Sequence, residues 1–223
     1  MKSQLCLLVF CLLCNCAIAK QESSITAIGF ASHPAVVKNY LSIVKKAYAK
    51  IGINPDFIPV SDRRSIKMLS EAKLDGLVIR GQKTMLQHPG FITVPPMLGA
   101  ADIRLICQPK LLCNKSLLDD SSKILGLVGQ DEYYQELLNE KTINTYEVVD
   151  YQRMEKMFQQ KKLDAMIMVF DLHTQGIPSP ELNTYHLEQI EGFHIIHKRF
   201  SHLIPKLSKA LAECLAEHDF IQE

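Results

Sequence analysis

The chain has 223 residues, enough for one large domain or two small lobes with cores of their own. Lys and Arg number 25 against 24 Asp and Glu, a formal net charge of +1 with no run of like charges. That balance gives no electrostatic support to nucleic-acid binding or to a helix lying on a membrane surface.

Residues 1–19 have the form of a secretory leader. Lys2 supplies the charged start, Leu5 to Leu13 the apolar run, and Ala17-Ile18-Ala19 a small-x-small cleavage site. The apolar run is too short to span a bilayer, which takes ~20 apolar residues. Acylation at Cys14 or Cys16 fits less well, because Leu12, Leu13 and Asn15 stand where a small residue is expected. The expectation is an exported chain cut after Ala19. Cys6, Cys11, Cys14 and Cys16 leave with the leader, and Cys107, Cys113 and Cys214 enter an oxidising compartment. Cys107 and Cys113 bracket the short link QPKLL, so they form either a local disulfide, the favoured reading, or two buried thiols. Cys214 falls on the apolar face of the last helix and reads as a small core residue.

In chain order, Ile25 to Phe30 is a short apolar strand, and Pro34 suits the first turn of the helix after it. Val37, Tyr40, Leu41, Val44, Ala47, Tyr48 and Ile51 recur three and four apart on one face, and Gly52 ends the helix. Asp56 to Val60 is a strand that Pro59 places near an edge. Ser61 or Asp62 caps a second helix, and Asp75-Gly76 turns it into the strand Leu77-Val78-Ile79. Residues 81–90 form a polar loop. Phe91 to Leu98 is extended, because Pro95 and Pro96 forbid helix, and Ile103 to Cys107 is a strand.

After a polar linker from Asn114 to Ser122 the βα alternation restarts. Strands fall at Leu125 to Val128, Thr145 to Val149 and the apolar run ending at Val169, with a helix from Glu132 to Asn139. Gly176 to Pro180 is a loop, Phe193 to His197 a last strand, and Leu203 to Ala216 a final amphipathic helix.

One pattern occurs twice. Arg64, Met68, Leu69, Lys73, Leu74, Asp75 and Gly76 recur in register as Arg153, Met157, Phe158, Lys162, Leu163, Asp164 and Ala165. Each copy is a helix that feeds an apolar strand, which is half of a βαβ unit. Alternation with an internal repeat predicts an α/β protein of two similar lobes, each with its own mostly parallel sheet. Ligands of such sheets bind beyond the carboxyl ends of the strands.

Taken together, these residues resemble the bacterial extracellular solute-binding proteins of family 3, the periplasmic amino-acid-binding components of importers. The features that carry the resemblance in the first half are Tyr48 with Gly52, Pro59-Val60, Arg64-Ser65, and Lys73-Leu74-Asp75-Gly76 ending at Arg80. In the second half they are Gly126-Leu127-Val128-Gly129, Leu163-Asp164-Ala165 leading to Asp171, and Gly192 to Ile196 before the closing helix. The resemblance implies the type II periplasmic-binding fold, two α/β lobes joined by crossing hinge strands. Residues 20–102 and 192–223 would form lobe 1 and residues 103–191 lobe 2. It further implies a periplasmic monomer without a cofactor that captures an amino acid or small carboxylate between the lobes. An inner-membrane permease or sensor is the expected partner. An enzyme of the same fold acting on a carboxylate, or a sensing module docked on a membrane protein, are the alternatives.

The resemblance also marks candidate ligand residues. Arg80 ends a strand, where a guanidinium holds a carboxylate bidentately or makes a salt bridge. Asp171 ends the matching strand of the other lobe and either pairs a ligand's amino group or caps a helix. Phe30, with His33 beside it, stands in for the ring that members of the family pack on the ligand. Arg64 opens its helix near the cleft and is either a ligand contact or a solvated side chain. Gly129 and Gln130 open a helix whose free N–H groups favour an anion, although Asp131 beside them is a natural cap. Asp75 and Asp164 lie at the far end and read as turn residues. The eight histidines form no metal motif, since His194 and His197 point to opposite faces of a strand. No nucleophile elbow or dinucleotide fingerprint occurs, so an enzyme is not expected.

Overall fold

The computed structural model describes residues 24–83, 87–129, 132–148, 150–174 and 182–220. The expected leader lies outside the described residues. In the first half, β1 (Ala27–Phe30), β2 (Asp56–Pro59) and β3 (Gly76–Gly81) are joined by α1 (Leu41–Lys50) and α2 (Asp62–Ser70), and a π-helical turn at Val36–Tyr40 leads into α1. The long strand β4 (Phe91–Cys107) follows. The second half holds β5 (Ile124–Val128), α3 (Glu132–Leu137), β6 (Asn144–Val148), α4 (Tyr151–Gln159) and β7 (Ala165–Asp171). A second long strand, β8 (Thr184–His197), and α5 (Ile204–Ala216) close the chain.

The two lobes share one eight-stranded sheet in the order β2-β1-β3-β8-β4-β7-β5-β6, which corrects the expectation of two sheets. The cause is the length of β4 and β8. They pair antiparallel from Phe91↔His197 at one end to Ile106↔Thr184 at the other, so their ladder runs through both lobes. Strands β1, β2 and β3 run parallel on one flank, and β5, β6 and β7 run parallel on the other. β2, marked by Pro59 as an edge strand, lies at one margin of the sheet.

The repeat is structural as well as sequential. Each of its helices ends on a non-glycine residue of left-handed backbone, Ala72 (φ 54) and Lys161 (φ 57). The next N–H then closes back on a carbonyl, Lys73 on Met68 at 2.8 Å and Lys162 on Met157 at 3.0 Å. The aspartates that follow tie the lobes' strands together. Asp75 Oδ2 accepts from the Thr26 N–H at 2.7 Å, and Asp164 Oδ2 accepts from the Ile124 N–H at 2.9 Å. Asp75 is buried and also receives the Thr26 hydroxyl, the Ala27 N–H and the Arg199 guanidinium. Burial pushes its carboxyl up, but these donors outweigh burial and hold it below the usual value. Gly29 and Gly126 lie under the two copies of the turn leucine. A Cβ there would stand 2.7 Å from Leu74 Cδ1 or 2.5 Å from Leu163 Cδ1.

Cys107 and Cys113 form a disulfide with Cα atoms 5.6 Å apart, and Cys214 is buried in the lobe 1 core. The loop that the bridge closes is pinned by Asn183, whose Nδ2 donates to the Gln108 and Leu111 carbonyls at 2.9 Å. Across lobe 1, His194 is fully buried, with Nε2 2.9 Å from the Tyr48 hydroxyl and Nδ1 3.3 Å from the Val78 carbonyl.

Burial pulls the His194 imidazole down to about 4 from the usual 6.5. Below pH 6.5 the unfolded chain therefore takes up a proton that the folded chain refuses, and stability falls as pH drops toward 4. The expected loss from this one group is about 3 kcal/mol. Urea unfolding of wild type and His194→Gln across this range checks it, and the variant should lose that part of the slope.

Candidate interlobe site

The carboxyl ends of β3 and β7, one from each lobe, come close together on either side of β8 and β4. Gly81 of β3 and Gly99 of β4 both pair with Gly192 of β8, so three glycines line up across three neighbouring strands. Ala101 of β4, two residues on, pairs with Asp171, the last residue of β7. Close approach of the rigid Tyr40 ring requires glycine at Gly99, while a Cβ at Gly192 would make the Ile79 side chain shift. A Cβ on Gly99 would lie 2.0 Å from the Tyr40 hydroxyl oxygen, and one on Gly192 would lie 2.7 Å from Ile79 Cδ1.

Side chains of the two lobes meet beside this row, and among these contacts the Tyr40 hydroxyl lies 3.3 Å from His173 Nδ1. Tyr40, from the π-helical turn before α1, donates its hydroxyl proton to Asp171 Oδ2 at 2.5 Å. The His33 ring, on the loop after β1, meets Tyr151 of α4 edge-on at 5.2 Å. Lys83, beyond β3, sits 3.6 Å from Glu136 of α3 and 3.4 Å from Glu188 of β8. The C-terminal tail adds a further link, since Phe220 packs against both Tyr40 (5.9 Å) and His173 (4.5 Å).

Asp171 is the centre of this arrangement. It is 6% exposed, and its other oxygen, Oδ1, accepts from the His173 N–H at 3.1 Å and from the Thr174 N–H and hydroxyl at 3.0 and 3.1 Å. The carboxylate caps the turn at 172–174 and binds a phenol from the other lobe at once. Burial, with the Asp171 carboxylate next to it, holds the Tyr40 phenol far above its usual value, so Tyr40 is a committed donor. Lys83 is exposed; the charge of Glu188, with Glu136 beside it, raises its ammonium group.

Of the residues marked from sequence, Arg80 and Asp171 flank the same glycine row from opposite lobes. Arg80 is half-buried and pairs with Phe193 of β8. Phe30 pairs with Pro59 and packs on the lobe 1 core. Arg64 is exposed in the first turn of α2. Gly129 (φ 70) is exposed just past β5, with its N–H given to the Val148 carbonyl at 3.1 Å. Gln130 lies outside the described residues. Tyr40, Tyr151 and Lys83 were not marked. Tyr40 belongs to the apolar stripe of its helix, and nothing local signals a partner 131 residues away. Among the described residues, no group of three or more His, Cys, Asp or Glu side chains is placed to hold a metal ion. No helix among them is long and apolar enough to cross a membrane.

Removing the Tyr40 hydroxyl leaves a buried carboxylate short of one donor, which costs about 1–3 kcal/mol. A urea-unfolding double-mutant cycle of Tyr40→Phe with Asp171→Asn should show coupling of that order, and strict additivity would contradict the contact.

No protein-family model matches the chain, and no curated protein matches it in sequence. Solved structures do match it in shape. The GluR0 ligand-binding core in complex with L-glutamate is 14% identical, with a TM-score of 0.63 over 87% of this chain and 94% of that one. The corresponding GluR0 core from Nostoc punctiforme, also with L-glutamate, is 15% identical, with a TM-score of 0.64 over 86% and 93%. The arginine-bound form of truncated ArgBP from T. maritima is 10% identical, with a TM-score of 0.63 over 84% and 95%. At this level of identity the likeness is one of fold: the chain has the type II periplasmic-binding fold, two α/β lobes joined by crossing strands.

Proposed function

We propose that this protein captures a small polar or zwitterionic solute, an amino acid or small carboxylate, between its lobes, and that it is a divergent relative of the family 3 solute-binding proteins. The observation that carries the reading is the approach of the carboxyl ends of β3 and β7 to one glycine row, with Arg80 on one side and Asp171 on the other. A guanidinium and a carboxylate at opposite walls suit the two charges of a zwitterion. Neighbours of the same fold, named above with bound L-glutamate and arginine, support the choice of ligand class. The fold neighbours are ligand-binding proteins, which fits binding without turnover.

In this reading the lobes, residues 20–102 with 192–223 and residues 103–191, move about a hinge at Ile103–Leu105 and Glu191–Phe193. Ligand shifts the balance toward closure because it touches both lobes only there. The amino group of an incoming solute takes the place of the Tyr40 hydroxyl at Asp171, while Arg80 takes its carboxylate. Phe30 and Arg64 are the proposed further contacts from lobe 1, and Gly129 is the one from lobe 2. Export to the periplasm, with delivery of the solute to an inner-membrane importer, completes the proposal and rests on the leader at residues 1–19.

A second reading draws on the Tyr40–Asp171 bond, which joins the lobes with protein groups alone. Such a molecule suits a module that docks on a membrane partner without a solute. A thermal-shift screen of L-amino acids and small carboxylates separates the two. A ligand at a hundred times its Kd adds about 2.7 kcal/mol of stability. The solute-binding reading predicts such a stabiliser, lost in Arg80→Ala with folding retained. Folded protein that no member of the panel stabilises contradicts it.

A further inference from the structure

The internal repeat provides its own control for surface charge. The two repeat helices and the turns after them carry cations at matching positions, Lys67 and Lys73 in lobe 1, Lys156 and Lys162 in lobe 2. In lobe 1 an acid stands between them. Glu71 Oε2 is 2.8 Å from Lys73 Nζ, and Oε1 is 3.8 Å from Lys67 Nζ. The Lys73 hydrogen bond and the charges of both lysines hold the Glu71 carboxyl below its usual value, against its slight desolvation.

In lobe 2 the matching residue is Gln160, an amide with no charge to give. Lys156, Lys162 and Arg153 make no ion pair among the described residues. The turn acid Asp164 is engaged by the Ile124 N–H at 2.9 Å and by Lys123 at 3.7 Å, and Asp150 accepts the Arg153 N–H at 2.7 Å.

These three cations line a depression of about 570 Å³ between α4 and the outer strands β5 and β6. Its volume is that of a small-molecule site, about 300–1,000 Å³. Ile124, Tyr146 and Met157 supply an apolar wall. Ile124 is 38% exposed and Tyr146 44% exposed, so both present apolar surface to the depression. The matching position to Tyr146 in lobe 1, by strand register, is the half-buried Ile58.

We propose that this depression is an anion site separate from the interlobe cleft, taking a small organic acid, a carboxylate or phosphate ester, with an aromatic or aliphatic body. The Arg153 guanidinium offers a fork to two oxygens, and the Lys156 and Lys162 ammonium groups complete the charge. The anion takes the place that Glu71 fills covalently in lobe 1. Tyr146, Ile124 and Met157 bury the body of the acid, which sets it apart from a bare inorganic ion.

The test is an amide NMR titration at low ionic strength with phenyl phosphate, benzoate, inorganic phosphate and benzyl alcohol. Phenyl phosphate or benzoate should move α4 and β6 resonances saturably and bind more tightly than inorganic phosphate, and the winner of that pair identifies the head group. Benzyl alcohol should not bind. Gln160→Glu, which rebuilds the lobe 1 arrangement, should weaken binding by about tenfold or more, as should Lys156→Gln with Lys162→Gln should the first variant fold poorly. Lys67→Gln, on the matching helix of lobe 1, should leave it unchanged. Shifts confined to the cleft, absence of saturation, equal affinity for inorganic phosphate, or indifference to both variants overturns the proposal.

Discussion

The backbone ladder between β4 and β8 is the constraint on which the rest of the structure depends. It runs from Phe91↔His197 to Ile106↔Thr184, so the same two strands form the middle of the joined sheet and the inner edge of each lobe. Each lobe then needs only three parallel strands and their helices to complete a sheet that is covered on both faces. The ladder breaks register between Val94 and Gly99, just where the glycine row begins. Backbone without side chains at that crossing lets Tyr40 and Ile79 lie directly on the sheet. The crossing is also the place where the ends of β3 and β7 come close together.

On that frame the repeat divides labour between the two ends of each lobe. The far end is fixed: Asp75 and Asp164 hold the starts of β1 and β5 by main-chain hydrogen bonds, and the left-handed residues Ala72 and Lys161 turn the chain into position. The near end is where the copies diverge, with Arg80 and Lys83 in lobe 1 against Asp171 and its turn in lobe 2. Divergence on the outer helix face, Glu71 against Gln160, changes the local charge without touching the fold. The same architecture carries two chemically different surfaces.

Much of the scaffold was legible in the residues because its signals are local. The Lys-Leu-Asp turn, the three-and-four spacing of α1 and the edge proline of β2 each depend on neighbours a few residues away. The pairing of Cys107 with Cys113 was legible for the same reason. The joined sheet was not. Residues 184–192 are rich in polar side chains and 95–96 are prolines, so β4 and β8 read as shorter pieces, and only tertiary pairing makes them continuous. In the site, the position of Arg80 and Asp171 at strand ends followed from the alternation. The partner of Asp171 did not, because Tyr40 is an ordinary member of an apolar stripe until the fold places its hydroxyl against a carboxylate from the other lobe.

The proposal at the centre of this reading is that the two lobes move about a hinge in β4 and β8, at Ile103–Leu105 and Glu191–Phe193, and are closed by a solute. Ser70 and Gln159 occupy matching exposed positions at the ends of the two repeat helices. Spin labels on cysteines introduced there report the distance between lobes by pulsed electron paramagnetic resonance, in the stripped protein and with a pool of amino acids. The account predicts a broad distribution that collapses to one narrow distance when the pool is added. Identical distributions in both samples would contradict it.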